Sequence, residues 1–262
     1  MKPYRLYILD LDGTLYRGTE PVVHAVETVR ALRSRGALIR FLTNNSGETR
    51  QFYVEKLSAM GYGAQPEEVY STAIGAAEYC LEQKLGSVFA VGEPGLLATL
   101  ADAGVHVANL GPQGFPSPGS ESGPAVDAVV VGVCRTLTYA LIEAAMQHLL
   151  GGARFIATNT DNSYPLEGGR LQPGAGSMVA AIATCSNRHP EIVIGKPNPL
   201  MVWQIARAAG VELSDVLCVG DRLETDILSG KNAGCDTHLV LTGVTPSAPE
   251  GQSSSPDLRG LL

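Results

Sequence analysis

No CxxC pair occurs in this chain. Its five cysteines, Cys80, Cys134, Cys185, Cys218 and Cys235, are odd in number and widely spaced. That argues against a disulfide framework and against structural zinc. Cys218 lies in the apolar run Val216-Leu217-Cys218-Val219 and reads as a small buried hydrophobe. The five histidines form no ligand-spaced cluster, which points to surface or packing roles. There is no basic run, and the net charge is −7. A nucleic-acid partner is therefore not expected, because a phosphate backbone requires clustered positive charge. No stretch approaches the roughly 18 apolar residues of a membrane span. From Met1 the sequence runs straight into strand-like residues without a charged leader, so a cytoplasmic protein is expected.

What is present is an apolar core. Hydrophobic residues make up 45% and charged residues 17% of 262, enough for one large α/β domain or two modest ones. Short apolar runs at 4–9, 37–42, 87–91, 126–133, 154–158, 191–194, 216–219 and 237–241 predict strands. Between them lie amphipathic stretches such as 22–35, 49–60, 137–150, 199–209 and 224–233, the pattern of βαβ units and a parallel sheet. No internal repeat or heptad stands out. Residues 108–124 and 244–257 are rich in Gly, Pro and Ser, and predict a long loop and a mobile tail.

Ligands of open parallel sheets bind beyond the carboxyl ends of the strands. Four apolar runs end there in polar clusters: Asp10-Leu11-Asp12-Gly13-Thr14, Thr43-Asn44-Asn45-Ser46, Gly195-Lys196-Pro197, and Gly220-Asp221 with Asp226 beyond. Asp10, Asp12, Asp221 and Asp226 would concentrate negative charge, and crowded carboxylates raise each other's pKa. A hard, oxygen-seeking cation such as magnesium resolves that conflict. Lys196, the Thr43 hydroxyl and backbone N–H groups around 44–46 are complementary donors for phosphate oxygens. Each cluster alone has an ordinary explanation as a turn, a cap or a solvated lysine. Their occurrence in order, each at a strand end, favours a phosphate site.

Together these segments resemble the four motifs of the haloacid dehalogenase superfamily of phosphohydrolases. Asp10-Leu11-Asp12-Gly13-Thr14-Leu15 resembles the first, Thr43-Asn44-Asn45 the second, Lys196 the third, and Gly220-Asp221 through Asp226 the fourth. The long insertion before Lys196 is similar to the C2-type cap of the NagD-like subfamily, also called subfamily IIA or p-nitrophenylphosphatase-like. Val91-Gly92-Glu93-Pro94-Gly95-Leu96, Ile156-Ala157-Thr158-Asn159-Thr160-Asp161, Tyr164-Pro165, Pro173-Gly174-Ala175-Gly176 and Leu241-Thr242-Gly243-Val244 carry that likeness. Two features depart from it. Cys134 stands near a position that is often acidic in the subfamily, and the chain after Val244 is short, with Pro256-Asp257-Leu258 at most a remnant of a further strand and helix.

The resemblance implies a Rossmann-like parallel-sheet core, residues 1–77 and 180–262, with an inserted α/β C2-type cap, residues 78–179. It implies a magnesium-dependent phosphatase with Asp10 as nucleophile and Asp12 as proton donor and acceptor. Magnesium would be held by Asp10, the Asp12 main-chain carbonyl and Asp221, with Asp226 acting through water or in support. Thr43, Asn44, Asn45 and Lys196 would bind phosphate, Gly13 would let the chain turn, and Tyr164, before a proline in the cap, is a candidate for the leaving group. Substrates of p-nitrophenyl phosphate, nucleoside monophosphate, pyridoxal phosphate, phosphoglycolate or glycerol phosphate type are expected, and the cap is a candidate homodimer surface. The competing readings are a sugar phosphomutase, a phospho-signalling receiver and a non-catalytic phospho-ligand binder. The place of the cap disfavours the first, the nucleophile on the first strand the second, and the intact polar set the third.

Overall fold

Leu6, Tyr7, Ile8 and Leu9 are all buried along strand β1 (Leu6–Asp10), the sign of a central strand in a parallel sheet covered on both faces. The computed structural model describes residues 2–117, 125–165 and 170–262. The chain divides into two units. One holds the residues up to Thr43, Gln51–Tyr70 and Gly195–Leu262, and the other Asn44–Arg50 and Ser71–Ile194.

In the first unit, β1 pairs in parallel with β2 (Leu38–Thr43) on one side and β9 (Val216–Gly220) on the other. The sheet order is β11 (Ser254–Ser255), β10 (Asp236–Val240), β9, β1, β2, β3 (Val69–Ser71). Helix α1 (Ala25–Ser34) buries Ala25, Thr28, Val29 and Leu32, a single helical face, and belongs to the core built on β1. Helices α2 (Arg50–Ala59), α7 (Leu200–Ala209) and α8 (Leu228–Ala233) complete the alternation of strand and helix.

The second unit has its own parallel sheet, ordered β8 (Ile192–Val193), β7 (Arg154–Ala157), β6 (Ala128–Val131), β4 (Ser87–Val91), β5 (His106–Val107). Its helices are α3 (Thr72–Glu82), α4 (Pro94–Asp102), α5 (Tyr139–Leu150) and α6 (Ala175–Ser186). The Ser71 and Thr138 hydroxyls accept from Ile74 N at 3.4 Å and Leu141 N at 3.2 Å, capping α3 and α5. Each of the eight apolar runs contains a strand, and the expected α/β architecture is present. Strands β3 and β5 were not anticipated, because two or three residues carry no readable period.

The tail departs from expectation. Ser254 and Ser255 pair in parallel with Leu239 and Val240, and Leu258 and Leu261 are buried in the core that includes Leu9 and Val29. His238, itself buried, sits 2.8 and 2.7 Å from the Ser253 and Ser255 hydroxyls. Residues 253–262 are therefore docked as an edge strand and a capped turn, with Asp257 accepting from Arg259 N at 2.9 Å. The composition of 244–257 hid this, because the anchoring leucines lie at and beyond its end. Of the loop expected at 108–124, residues 118–124 lie outside the described residues. Among the described residues no helix is long and apolar enough to cross a membrane.

Candidate active site

Parallel pairing aligns the strand ends. Asp10 is opposite Leu42, so Thr43 follows at the same edge, and Leu9 is opposite Val219, so Gly220 and Asp221 do too. Lys196 joins them in the first unit. Its ammonium lies 2.5 Å from Asp10 Oδ1 and 2.7 Å from Asp226 Oδ1, with only 5% of its side chain exposed. Asp226 Oδ2 accepts from Arg222 N at 3.0 Å. That carboxylate is presented by a single π-helical turn, Leu223–Ile227, an irregularity common at functional sites.

Oxygens of Asp10, Asp221 and Asp226 lie within 4.8 Å of one another. Three carboxylates face one ammonium, which leaves net negative charge in a buried place. Asp221 Oδ2 accepts from Val244 N at 2.6 Å, whereas its Oδ1 is buried without a hydrogen-bond partner. An orphaned carboxylate oxygen in an acidic cluster fits a hard divalent cation. The electrostatics agree. Burial, then the nearby Asp226, pushes the Asp10 carboxyl well above the usual range, against the pull of Lys196. Burial and Asp226 also raise Asp221, opposed by the Val244 N–H. For Lys196, burial alone would lower the pKa, and the carboxylates of Asp10 and Asp226 more than reverse that.

Two glycines make room for these side chains. Gly13 has φ +87°, and a Cβ there would lie 2.6 Å from Asp221 Oδ2. At Gly220 a Cβ would overlap the Asp226 side chain. The turn expected of Gly13 is present, and its N–H donates to Tyr16 O at 2.8 Å.

Asp12 follows the strand and is solvent-exposed. Protein surrounds its carboxyl closely enough that lost hydration still raises its pKa, with Lys56 and Lys196 pulling the other way. The Tyr16 hydroxyl is 3.5 Å from Asp12 Oδ2, a long contact, and Lys56 Nζ lies 3.9 Å from the Tyr16 ring centroid. The Asp12 side chain is not part of the carboxylate cluster; its expected metal contribution is the main-chain carbonyl.

The remaining expected residues belong to the second unit. Asn44 Nδ2 donates to Asp161 Oδ2 at 3.3 Å, and Asn45 Oδ1 accepts from Gly47 N at 2.7 Å. Tyr164 lies on the hairpin of Ser163–Pro165 and Leu171–Pro173. Its hydroxyl contacts Gln172 Oε1 at 2.5 Å and accepts from Arg135 Nη2 at 2.9 Å. Arg135 is held in turn by Glu93, which accepts from its Nη1 at 3.2 Å and from its backbone N–H at 2.6 Å.

Several participants were not singled out from sequence. Val244 orients Asp221, and Thr245 N donates to Asp221 O at 3.1 Å, so the Thr-Gly-Val segment braces the fourth motif. Only the subfamily likeness flagged that segment. Tyr16, Lys56 and Arg135 carried no local pattern, being a lone aromatic, a helix-face lysine and a loop arginine.

The profile of the haloacid dehalogenase-like hydrolases matches residues 7–106, and a second profile, HAD-hydrolase-like, matches residues 193–258. A 5'-nucleotidase, YutF, of Bacillus subtilis is 38% identical over 246 residues, covering 94% of this chain and 90% of that protein. The structure of 4-nitrophenylphosphatase from Thermotoga maritima superposes with a TM-score of 0.87 at 35% identity, covering 98% of this chain and 96% of the other. Glycerol phosphate phosphatase from Mycobacterium tuberculosis, solved in complex with calcium, superposes with a TM-score of 0.83 at 31% identity, covering 98% and 74%.

Proposed function

We propose, since the chain belongs to the haloacid dehalogenase-like hydrolases and is a phosphoric monoester hydrolase of the NagD-like subfamily IIA, that it cleaves small phosphorylated metabolites with magnesium through an aspartyl phosphate. The observation that carries this reading is the cluster of Asp10, Asp221 and Asp226, with a buried, unpartnered Asp221 Oδ1 and Lys196 against Asp10.

Magnesium, held by the Asp10 and Asp221 carboxylates and the Asp12 carbonyl, would neutralise charge between an anionic nucleophile and an anionic phosphate. A carboxylate oxygen of Asp10 attacks phosphorus, and the bond to the ester oxygen breaks. Asp12 gives its proton to that leaving oxygen, and its raised pKa suits it to carry one. Water then attacks the same phosphorus, Asp12 takes the proton, and Asp10 is regenerated as inorganic phosphate departs. Lys196, the Thr43 hydroxyl and the main chain at Asn44 and Asn45 bind the phosphate oxygens, and Asp226 holds Lys196 in place. The inserted unit selects the leaving group, with Tyr164 and its neighbours as candidates. The names of relatives support a range of nucleotide, glycerol phosphate and nitrophenyl phosphate esters. The cysteines are all free, which suits a reducing cytoplasm.

Phosphate release from a panel of such esters, with magnesium or with EDTA, tests the reading. Activity should require the metal, and Asp10→Asn should lower turnover to background while the melting temperature stays near wild type. Robust turnover by Asp10→Asn would remove the nucleophile assignment. Full activity in EDTA would remove the metal.

A further inference from the structure

The Asn44 carbonyl oxygen receives two side-chain hydrogen bonds. Thr72 Oγ1 donates to it at 2.7 Å and Asn159 Nδ2 at 2.8 Å. Thr72 is the first residue of α3, and Asn159 lies just beyond the end of β7, so the two donors come from separate elements. Both are buried. A carbonyl oxygen has two lone pairs, and both are engaged here.

A trans peptide is planar, with its C=O and N–H pointing in opposite directions. The bond between Asn44 and Asn45 is trans, because Lys196–Pro197 is the one cis peptide among the described residues. Clamping the Asn44 oxygen therefore sets the direction of the Asn45 N–H. We propose that Asn159 and Thr72 are positioning residues for the phosphate-binding turn, acting through the Asn44 carbonyl they share. This rests on the phosphatase reading, in which the turn after Thr43 binds the transferred group.

The surroundings hold the donors still. Asn159 Oδ1 accepts from Asp161 N at 3.1 Å, and Asp161 Oδ2 accepts from Asn44 Nδ2. The Asp161 carbonyl accepts from Gly176 N at 3.0 Å in the first turn of α6. Thr158 N donates to Val131 O at 2.8 Å, which ties the segment to its sheet, and Thr158 Oγ1 donates to Ser46 Oγ at 3.3 Å. The Thr-Asn-Thr-Asp stretch thus grips the turn at 44–46 through both main chain and side chains. A group that binds the leaving part of a substrate would not need such a grip on a main-chain carbonyl.

Asn159→Asp is the sharpest test. It keeps the shape and the acceptor for Asp161 N but turns the donor into an oxygen facing the Asn44 carbonyl. Thr72→Val removes the second donor at constant shape, and Thr72→Ser retains it. Measured quantities are kcat and KM on three esters with unlike leaving groups, the inhibition constant of inorganic phosphate, and Tm. Misplacing a phosphate donor should weaken phosphate inhibition and lower kcat/KM by about tenfold or more, and by the same factor for every ester. Thr72→Ser should be near wild type, and the double variant Thr72→Val/Asn159→Asp should lose less than the product of the single losses. Losses that differ among the esters would place Asn159 on the leaving group instead. An unchanged phosphate constant, with or without a lowered Tm, would overturn the positioning role while leaving the phosphatase reading intact. If wild type hydrolysed none of the esters, the phosphatase reading itself would fall.

Discussion

Lys196 donates to Asp10 at 2.5 Å from a position where 5% of its side chain meets solvent, and the same ammonium reaches Asp226 at 2.7 Å. One cation therefore keeps the expected nucleophile and a neighbouring carboxylate together in a buried site. The ammonium therefore has a structural role, because without it the two carboxylates repel.

Replacing Lys196 with Met should accordingly reduce both stability and turnover. Removing one partner of a buried ion pair typically costs about 3–5 kcal/mol. Urea denaturation of Lys196→Met should show a loss of that order, and activity should fall to background. A variant as stable as wild type would mean that the carboxylates are neutral or already separated.

The raised carboxyls predict a pH dependence that the metal should reverse. Burial holds the folded-state pKa values of Asp10 and Asp221 above the ordinary carboxyl value of about 3.9. Such groups contribute stability that is present below that value and is lost as pH rises through their folded-state values. Lys196 is raised above 10.5, so its contribution is constant over this range and fades only in strong alkali. In the metal-free protein the contribution of these two carboxyls should thus decline on going from about pH 4 towards neutrality. The gain in Tm on adding magnesium should grow over the same interval. Thermal melts with EDTA and with magnesium across pH 4–8 check this, and a metal-induced gain independent of pH would count against it.

Gly13→Ala is expected to act on the metal site rather than on the nucleophile. At φ +87° an L-residue is strained by about 1 kcal/mol, and the new methyl would meet Asp221 Oδ2 at 2.6 Å. Asp221 must shift to accommodate it. A magnesium titration of activity should show a requirement raised about tenfold or more, since metal sites lose 10–100-fold when a ligand's support is disturbed. An unchanged titration would show that Asp221 has slack.

Leu258 tests the docked tail. It is fully buried in the same core as Leu9, so Leu258→Ala should cost about 2–5 kcal/mol. Because the side chain is apolar and packs in the hydrophobic core, contributing no polar atom to the carboxylate cluster, KM should stay near wild type at temperatures where the variant is folded. A variant with unaltered Tm would return residues 253–262 to a loose tail.

Local pattern was enough to read the alternation of strand and helix and the edge at which polar groups gather. Both are written in local terms. Apolar runs such as 4–9 and 216–219 declare buried strands, and polar groups at their ends declare a site, without knowledge of distant residues. The order of Asp10, Thr43, Lys196 and Asp221 along the chain was equally legible. Which partners those groups keep follows from the folded arrangement and not from local pattern. Lys196 meets Asp10 across 186 positions of sequence, Val244 clasps Asp221 across 23, and Asn159 reaches the Asn44 carbonyl across 115. No periodicity encodes such pairings, because they depend on how sheets and loops are stacked and not on a residue's neighbours. The docked tail was hidden for the same reason. Its leucines, Leu258 and Leu261, acquire meaning only from the core they fill.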